Sequence, residues 1–257
     1  MVDISVITFT LGGRDRYLFR CLDSVYQKEI DEQYTYPVNN NDCVKIEHHI
    51  IFQGATPSSE ITGCLKTYRQ SEYYTLIPHI WDTNIGIGAG LNKILPSCKG
   101  ELIFKMDDDC EIVSKDFFLR AYTLHKRFPN SVFSPLPCGL LRSPGGPPAL
   151  SHKVWWDKTS DIIWTKRIVN HVGGFARFAP KTIMGKFKFS NDLIPGISGT
   201  EDSQLSSYCN SNNIEMFYLE DGLIVSHQET CYGQLLRNPE YFVGRSWEST
   251  ITLNIEE

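Results

Sequence analysis

Asp107, Asp108 and Asp109 follow one another at the end of an apolar run, in FKMDDDCEI. Three like charges in a row repel one another unless a cation sits among them, and hard divalent ions such as Mg2+ and Mn2+ take carboxylate oxygens. The competing account is a solvated acidic turn that caps the next helix. A second acidic group, Glu201 and Asp202, stands in GTEDSQL ahead of a helical SSYC, where carboxylates also suit the first turn of a helix. His227 closes the apolar run of LIVSHQET. A lone histidine there is structural, exposed or, as a neutral imidazole, a partner for a transition metal.

Phosphate chemistry has a candidate of its own in NIGIGAGLN, residues 84 to 92. Its spacing is GxGxG rather than GxGxxG, and it follows a third strand instead of opening the fold, so a dinucleotide fingerprint is a poor match. The glycines would still let the backbone approach a ligand closely and start a helix whose first amides favour anions.

These groups need elements to place them. ISVITFT, from Ile4 to Thr10, reads as a strand, and YLFRCLDSVYQ, from Tyr17 to Gln27, as an amphipathic helix. The polar stretch from Glu29 to Asp42, with Pro37 and three asparagines, reads as an inserted loop. Strand Ile46 to Phe52, helix Ser59 to Gln70, strand Thr75 to Trp81, helix Ala89 to Ser97 and strand Glu101 to Met106 follow. Four successive β-α steps predict a parallel sheet covered by helices. In such sheets ligands bind beyond the carboxyl ends of the strands, which is where the three aspartates fall.

Beyond a helix around Phe117 to Arg127 the pattern loosens. Residues Pro135 to Pro148 are rich in Pro and Gly and predict a loop, followed closely by Trp155, Trp156 and Trp164, which could stack on a ligand or pack in a core. One strand over Ile168 to Phe178, a helix over Asp202 to Asn210, and strands near Glu215 to Leu219 and Leu223 to Ser226 complete the α/β part. The residues after 230 carry Tyr232, Tyr241, Phe242 and Trp247 and are expected to fold back over a site.

The 257 residues, 41% hydrophobic and 21% charged, fit one large domain or two small ones. A net charge of −5 disfavours a polynucleotide partner. Eight cysteines without a CxxC pair, and a start lacking a basic segment followed by a long apolar one, point to a reduced, cytoplasmic protein. Most of those cysteines are expected to serve as small core residues. No apolar run is long enough for a membrane-spanning helix, so any membrane association would be peripheral.

Taken in order, SVITFT, a helix bearing CLDSVYQ, NIGIGAGLN and ELIFKMDDD resemble the family 2 glycosyltransferases of the GT-A fold. The likeness covers about residues 3 to 127 and again about 171 to 227. It implies one α/β domain over residues 1 to 257: a mostly parallel, Rossmann-like sheet flanked by helices. Nucleotide binding would fall in about 1–127, the acceptor side in about 128–230 and an aromatic segment in 231–257. The resemblance also implies roles. Asp107 contacts the nucleotide side of the donor, with Asp108 beside it, while Asp109 binds Mn2+ or Mg2+, with His227 as a further ligand. Asp202 deprotonates the acceptor hydroxyl and Glu201 assists in acceptor binding. Thr8, Phe9, Thr10, Arg14, Gln53, Asn84, Gly86 and Gly174 line the donor, Gly174 within a small-residue strand GGFARF.

Two departures from the family pattern both concern the donor. Phe9 replaces a usual proline, with Leu11-Gly12-Gly13-Arg14 in place of a YNR-like turn, and Gln53 stands where relatives that use UDP-sugars often have an aspartate. Gln53 can accept through its carbonyl or donate through its amide, which leaves the base open, with a UDP-sugar favoured. The implied activity is inverting transfer from a nucleoside-diphosphate sugar to a hydroxyl, on a glycan or glycolipid precursor. Lys181, Lys186 and Lys188 are candidates for a phosphate-bearing acceptor. The rivals are a sugar-nucleotide nucleotidylyltransferase, faintly echoed by Leu11 to Arg14, and a non-catalytic relative that binds nucleotide or glycan.

Overall fold

The computed structural model describes residues 2–35, 43–68, 71–138, 151–157, 162–190, 200–219 and 222–227. The N-terminal half follows the expected alternation: β1 (Ile4–Thr10), α1 (Asp15–Thr35), β2 (Ile46–Gln53), α2 (Ser59–Thr67), β3 (Tyr74–Trp81), α3 (Ile87–Ile94) and β4 (Leu102–Met106). β1, β2 and β4 are buried along their whole length, as strands covered on both faces must be. Next come β5 (Cys110–Ile112), α4 (Phe117–Arg127), β6 (Val132–Ser134), β7 (Leu136–Cys138), β8 (Ser151–Asp157) and β9 (Ile162–Val169). β10 (Ala176–Pro180), α5 (Lys181–Lys186), α6 (Thr200–Ser211), β11 (Met216–Leu219) and β12 (Ile224–His227) complete the described chain.

Nine strands form one sheet in the order β3-β2-β1-β4-β10-β6-β11-β9-β8, and only β10 and β9 run against the rest. The sheet is therefore mostly parallel in direction. The reversed β10 is inserted beside β4, with Ala176 opposite Met106 and Arg177 opposite Lys105. Stacked rings secure it: Phe178 lies 4.1 Å from Phe104 and 4.9 Å from Phe133, which in turn lies 5.4 Å from Phe217. One aromatic thus comes from each of β4, β10, β6 and β11, a contact worth about 0.5–1.5 kcal/mol per ring pair beyond the area buried.

Several elements differ from the sequence expectation. α1 runs on to Thr35 through the stretch expected to be loop, because Lys28-Glu29-Ile30-Asp31-Glu32-Gln33 is made of helix-compatible residues whose polarity conceals the periodicity; residues 36–42 lie outside the described residues. α3 starts at Ile87, before Ala89, and passes into a 3-10 turn at Leu95–Ser97. Within the expected loop from 135, Leu136–Cys138 forms β7. Pro137 is tolerated there because β7 is an edge of a second sheet, ordered β5-β12-β7, where one unpaired N–H position costs nothing. The single strand expected over 168–178 is two strands, broken at Gly173-Gly174. Trp164 is buried against the core, not presented to a ligand, while the segment 231–257 lies outside the described residues.

Candidate active site

All the site elements converge on the carboxyl edge of β4. The turn Asp107-Asp108-Asp109 leaves that edge, fixed by the Asp107 N–H donating to the Phe175 carbonyl at 2.8 Å. β5 then pairs antiparallel with β12, Cys110 opposite His227, which brings the His227 ring to Asp109. His227 Nε2 lies 3.5 Å from Asp109 Oδ1. This is the separation expected of two ligands on one ion, so the pair fits a divalent metal. Cys110 Sγ also borders this group, yet its thiol donates to the Phe175 carbonyl at 3.7 Å, and burial together with Asp109 and Asp107 pushes its ionisation well above the ordinary thiol range. It is a protonated core thiol.

The three like charges are neutralised by side chains from elsewhere. Arg14, in the turn after β1, donates through Nη1 to Asp108 Oδ1 at 3.2 Å and through Nη2 to Asp109 Oδ2. The buried carboxyl of Asp108 is pushed up to about 6, burial outweighing the opposing charge of Arg14. Lys105, buried on β4, donates to Asp107 Oδ1 and to the Gly174 carbonyl. Its Nζ also lies 3.8 Å from Glu201 Oε1. Lys105 thereby joins the aspartate turn to α6.

Gly174 lies close under α6: a Cβ there would fall 2.8 Å from Glu201 Oε1 and 3.5 Å from Asp202 Oδ2, so a side chain would have to displace the Glu201 carboxylate. Glu201 is buried; Asp202, one residue on, keeps a 17% exposed side chain. Asp202 Oδ1 accepts from the Ser203 N–H at 2.7 Å, and Oδ2 lies 3.6 Å from His171 Nε2. Burial alone would raise the Asp202 carboxyl, but His171 and the charge of Arg177 outweigh it and hold the group below the ordinary carboxylate range. Arg177 is 1% exposed, and none of its three guanidinium nitrogens has a hydrogen-bond partner among the described residues.

The expected donor residues divide into two groups. Thr10 accepts from the Gly12 N–H at 3.2 Å and faces Asp108, and Arg14 holds the aspartates. Gln53 is buried with its carbonyl accepting from the Ile85 N–H at 3.1 Å, and Asn84 Oδ1 accepts from the Gly86 N–H at 2.9 Å, so both shape the turn into α3. Gly86 adopts φ 79°, a conformation open to glycine. Thr8 and Phe9, in contrast, face the interior: the Thr8 hydroxyl is 3.1 Å from His48 Nε2, and Phe9 packs on Gly90 and Trp81. Lys181 points away from this edge, its ammonium bonded to the Cys98 carbonyl beyond the opposite end of β10.

Sequence reasoning left Lys105, His171 and Arg177 without a role. Lys105 and Arg177 did leave a signal, each a single charge inside an otherwise apolar strand; His171 left none.

No protein-family model matches the chain, and no curated protein matches it in sequence. Solved structures do. TarS of S. aureus superposes with a TM-score of 0.60 at 15% identity, covering 94% of this chain and 38% of that one. TarS 1-349 in complex with UDP gives 0.62 at 15% identity, with 89% and 60% covered. GalNAc-T7 with UDP, GalNAc and Mn2+ gives 0.61 at 12% identity, with 88% and 44% covered. The chain thus spans less than two thirds of the length of each. At these identities it is the architecture that is shared: the GT-A fold.

Proposed function

We propose that this chain is a metal-dependent, inverting glycosyltransferase that moves a sugar from a nucleoside-diphosphate sugar to an acceptor hydroxyl. The observation that carries the reading is the hub at Lys105, which ties the Asp107 turn to the Gly174–Glu201 contact and so holds a metal-competent pair and a free carboxylate on one sheet edge. Asp109 and His227 are the residues that would hold Mn2+ or Mg2+. When bound, the ion neutralises charge on the diphosphate leaving group, a Lewis-acid contribution.

The rest of the chemistry belongs to the chain. Asp202 is ionised, partly exposed and oriented by the Ser203 N–H and His171, as a base that takes the acceptor proton must be. The acceptor oxygen then attacks the anomeric carbon from the side opposite the leaving group, and a single displacement inverts the configuration. Glu201, locked beside Gly174, positions that helix end. A UDP-sugar is the favoured donor: two of the neighbouring structures hold UDP, and a third form of TarS 1-349 is in complex with UDP-GlcNAc. With its carbonyl committed to Ile85, Gln53 meets the base through its amide. The acceptor is a glycan or glycolipid precursor, and the net charge of −5 argues against nucleic acid. No helix among the described residues is long and apolar enough to cross a membrane. Arg14, held by Asp108 and Asp109, is not positioned for a nucleoside triphosphate, which counts against the nucleotidylyltransferase alternative.

The test is Asp202→Asn. Transfer should fall by about 10²–10⁴-fold, the usual worth of a placed base, while the thermal shift given by UDP with Mn2+ stays as in the wild type. A fully active variant sinks the assignment of the base. Release of pyrophosphate from a nucleoside triphosphate would instead establish the nucleotidylyltransferase.

A further inference from the structure

A second cluster of metal-ligating side chains lies at the other end of the sheet. Glu47 and His49 stand two residues apart on β2 and so project from the same face, where Cys98 meets them from the segment leading into β4. Their ligand atoms all lie within 4.8 Å of one another, and the three residues are 2%, 1% and 1% exposed. Glu47 pairs in register with Ser5, the second residue of β1, whereas the aspartate turn leaves the far end of β4. The two groups are separate sites.

Four observations point to an ion. His49 Nε2 is buried and has no well-aligned hydrogen bond among the described residues; it faces Glu47 Oε1 at 3.3 Å, a contact that helps hold the Glu47 carboxyl low. That separation, off the hydrogen-bond line, is the edge of a tetrahedron: bonds of about 2.0–2.1 Å to nitrogen and oxygen place the two ligands about 3.3–3.4 Å apart. The other ring nitrogen, Nδ1, is 2.9 Å from His79 Nε2, the outer contact that orients a ligating imidazole. Glu47 Oε1 is likewise braced, by the Ser5 hydroxyl at 2.6 Å and by the Lys99 N–H. Finally, a divalent ion balances the charge of one carboxylate and one thiolate, where the apo cluster leaves a carboxylate in the interior.

We infer that Glu47, His49 and Cys98 form a tetrahedral site for a borderline-soft divalent ion of the Zn2+ type, clamping the Cys98–Gly100 segment onto β2. A thiolate and an imidazole among the ligands select zinc over the Mg2+ or Mn2+ expected at a carboxylate-rich site. The segment is already tightly placed, since a Cβ on Gly100 would collide with the backbone of Ser5, and the Gly100 N–H donates to Ser5 Oγ at 2.8 Å. Binding exchanges the proton of Cys98 Sγ, which now donates to the Ile94 carbonyl at 3.6 Å, for the metal, and the proton leaves to solvent.

The test is Co2+ titration of the full chain after chelation. Wild type and Asp109→Asn should each take up one equivalent that gives intense tetrahedral visible bands and a near-ultraviolet thiolate-to-cobalt charge-transfer band; Cys98→Ser should lose the latter. His49→Gln, which keeps the thiol, should bind Co2+ at least 10-fold more weakly. In the Asp109→Asn background Zn2+ should raise the melting temperature, and adding Cys98→Ser should abolish that rise. If Cys98→Ser does not fold, the wild-type band and its weakening in His49→Gln decide alone. No charge-transfer band in the wild type, or one that persists in Cys98→Ser, overturns the site.

Discussion

Lys105 Nζ and Glu201 Oε1 face each other at 3.8 Å across the gap between β4 and α6, both side chains almost wholly buried. The same ammonium serves Asp107 and the Gly174 carbonyl, so one cation compensates two carboxylates drawn from the two halves of the candidate site. The cost of placing Lys105 in the interior is offset only while both partners are ionised and in place.

Replacing Lys105 with methionine preserves volume and removes the charge. We expect a loss of about 3 kcal/mol, since it leaves the buried Glu201 carboxylate uncompensated while Asp107 is partly solvated. Lys105→Met combined with Glu201→Gln should cost less than the two single changes added together. Urea unfolding of the four proteins measures the coupling, and strict additivity would remove Lys105 as the link between the halves.

The visibility of this arrangement in the sequence is uneven, for physical reasons. β1 and β4 were readable because buried parallel strands are largely apolar runs, whereas β2, which carries Glu47, His48 and His49, and the half-exposed edge strand β3 are marked by β-branched and aromatic residues between turn residues such as Gly54 and Asn84. The aspartate turn, the Glu201-Asp202 pair and His227 stand out because charge or imidazole at a strand or helix boundary breaks a local pattern. Lys105 to Glu201, His171 to Asp202 and Cys98 to Glu47 are contacts across dozens of residues, and no local period encodes them. β7 was concealed by Pro137, whose tolerance depends on an edge position that only the assembled second sheet defines.

His171 is the partner that keeps Asp202 ionised. Removing it in His171→Gln takes away a contact that holds the Asp202 carboxyl low, so the acidic limb of the kcat/KM profile should move to higher pH. Activity above neutral pH should change far less than activity in acid. An unmoved acidic limb would disconnect His171 from the base.

Arg14 competes with any ion for Asp109, since it occupies Oδ2 while Oδ1 faces His227. Arg14→Met leaves Asp108 and Asp109 without their cation. Its melting temperature in the presence of chelator should fall below that of the wild type, and Mn2+ should recover more of it than it adds to the wild type. Equal Mn2+ shifts in the two proteins would place the ion elsewhere.

Acid stability offers a test of the core beneath the site. His48 is fully buried between Thr8, at 3.1 Å, and Tyr74, whose hydroxyl is 3.2 Å from Nδ1; burial lowers it from 6.5 to about 3. Between those values the unfolded chain binds a proton that the folded protein does not, so stability rises with pH across this window. The contribution is complete above about 6.5 and is lost as pH falls toward 3; from pH 7 to pH 5 it amounts to about 2 kcal/mol. His48→Gln removes the titrating group while keeping polar atoms for both neighbours. Whatever its stability at pH 7, its urea midpoint should decline less steeply than that of the wild type over this range, and parallel declines would show that His48 takes up its proton without unfolding the sheet.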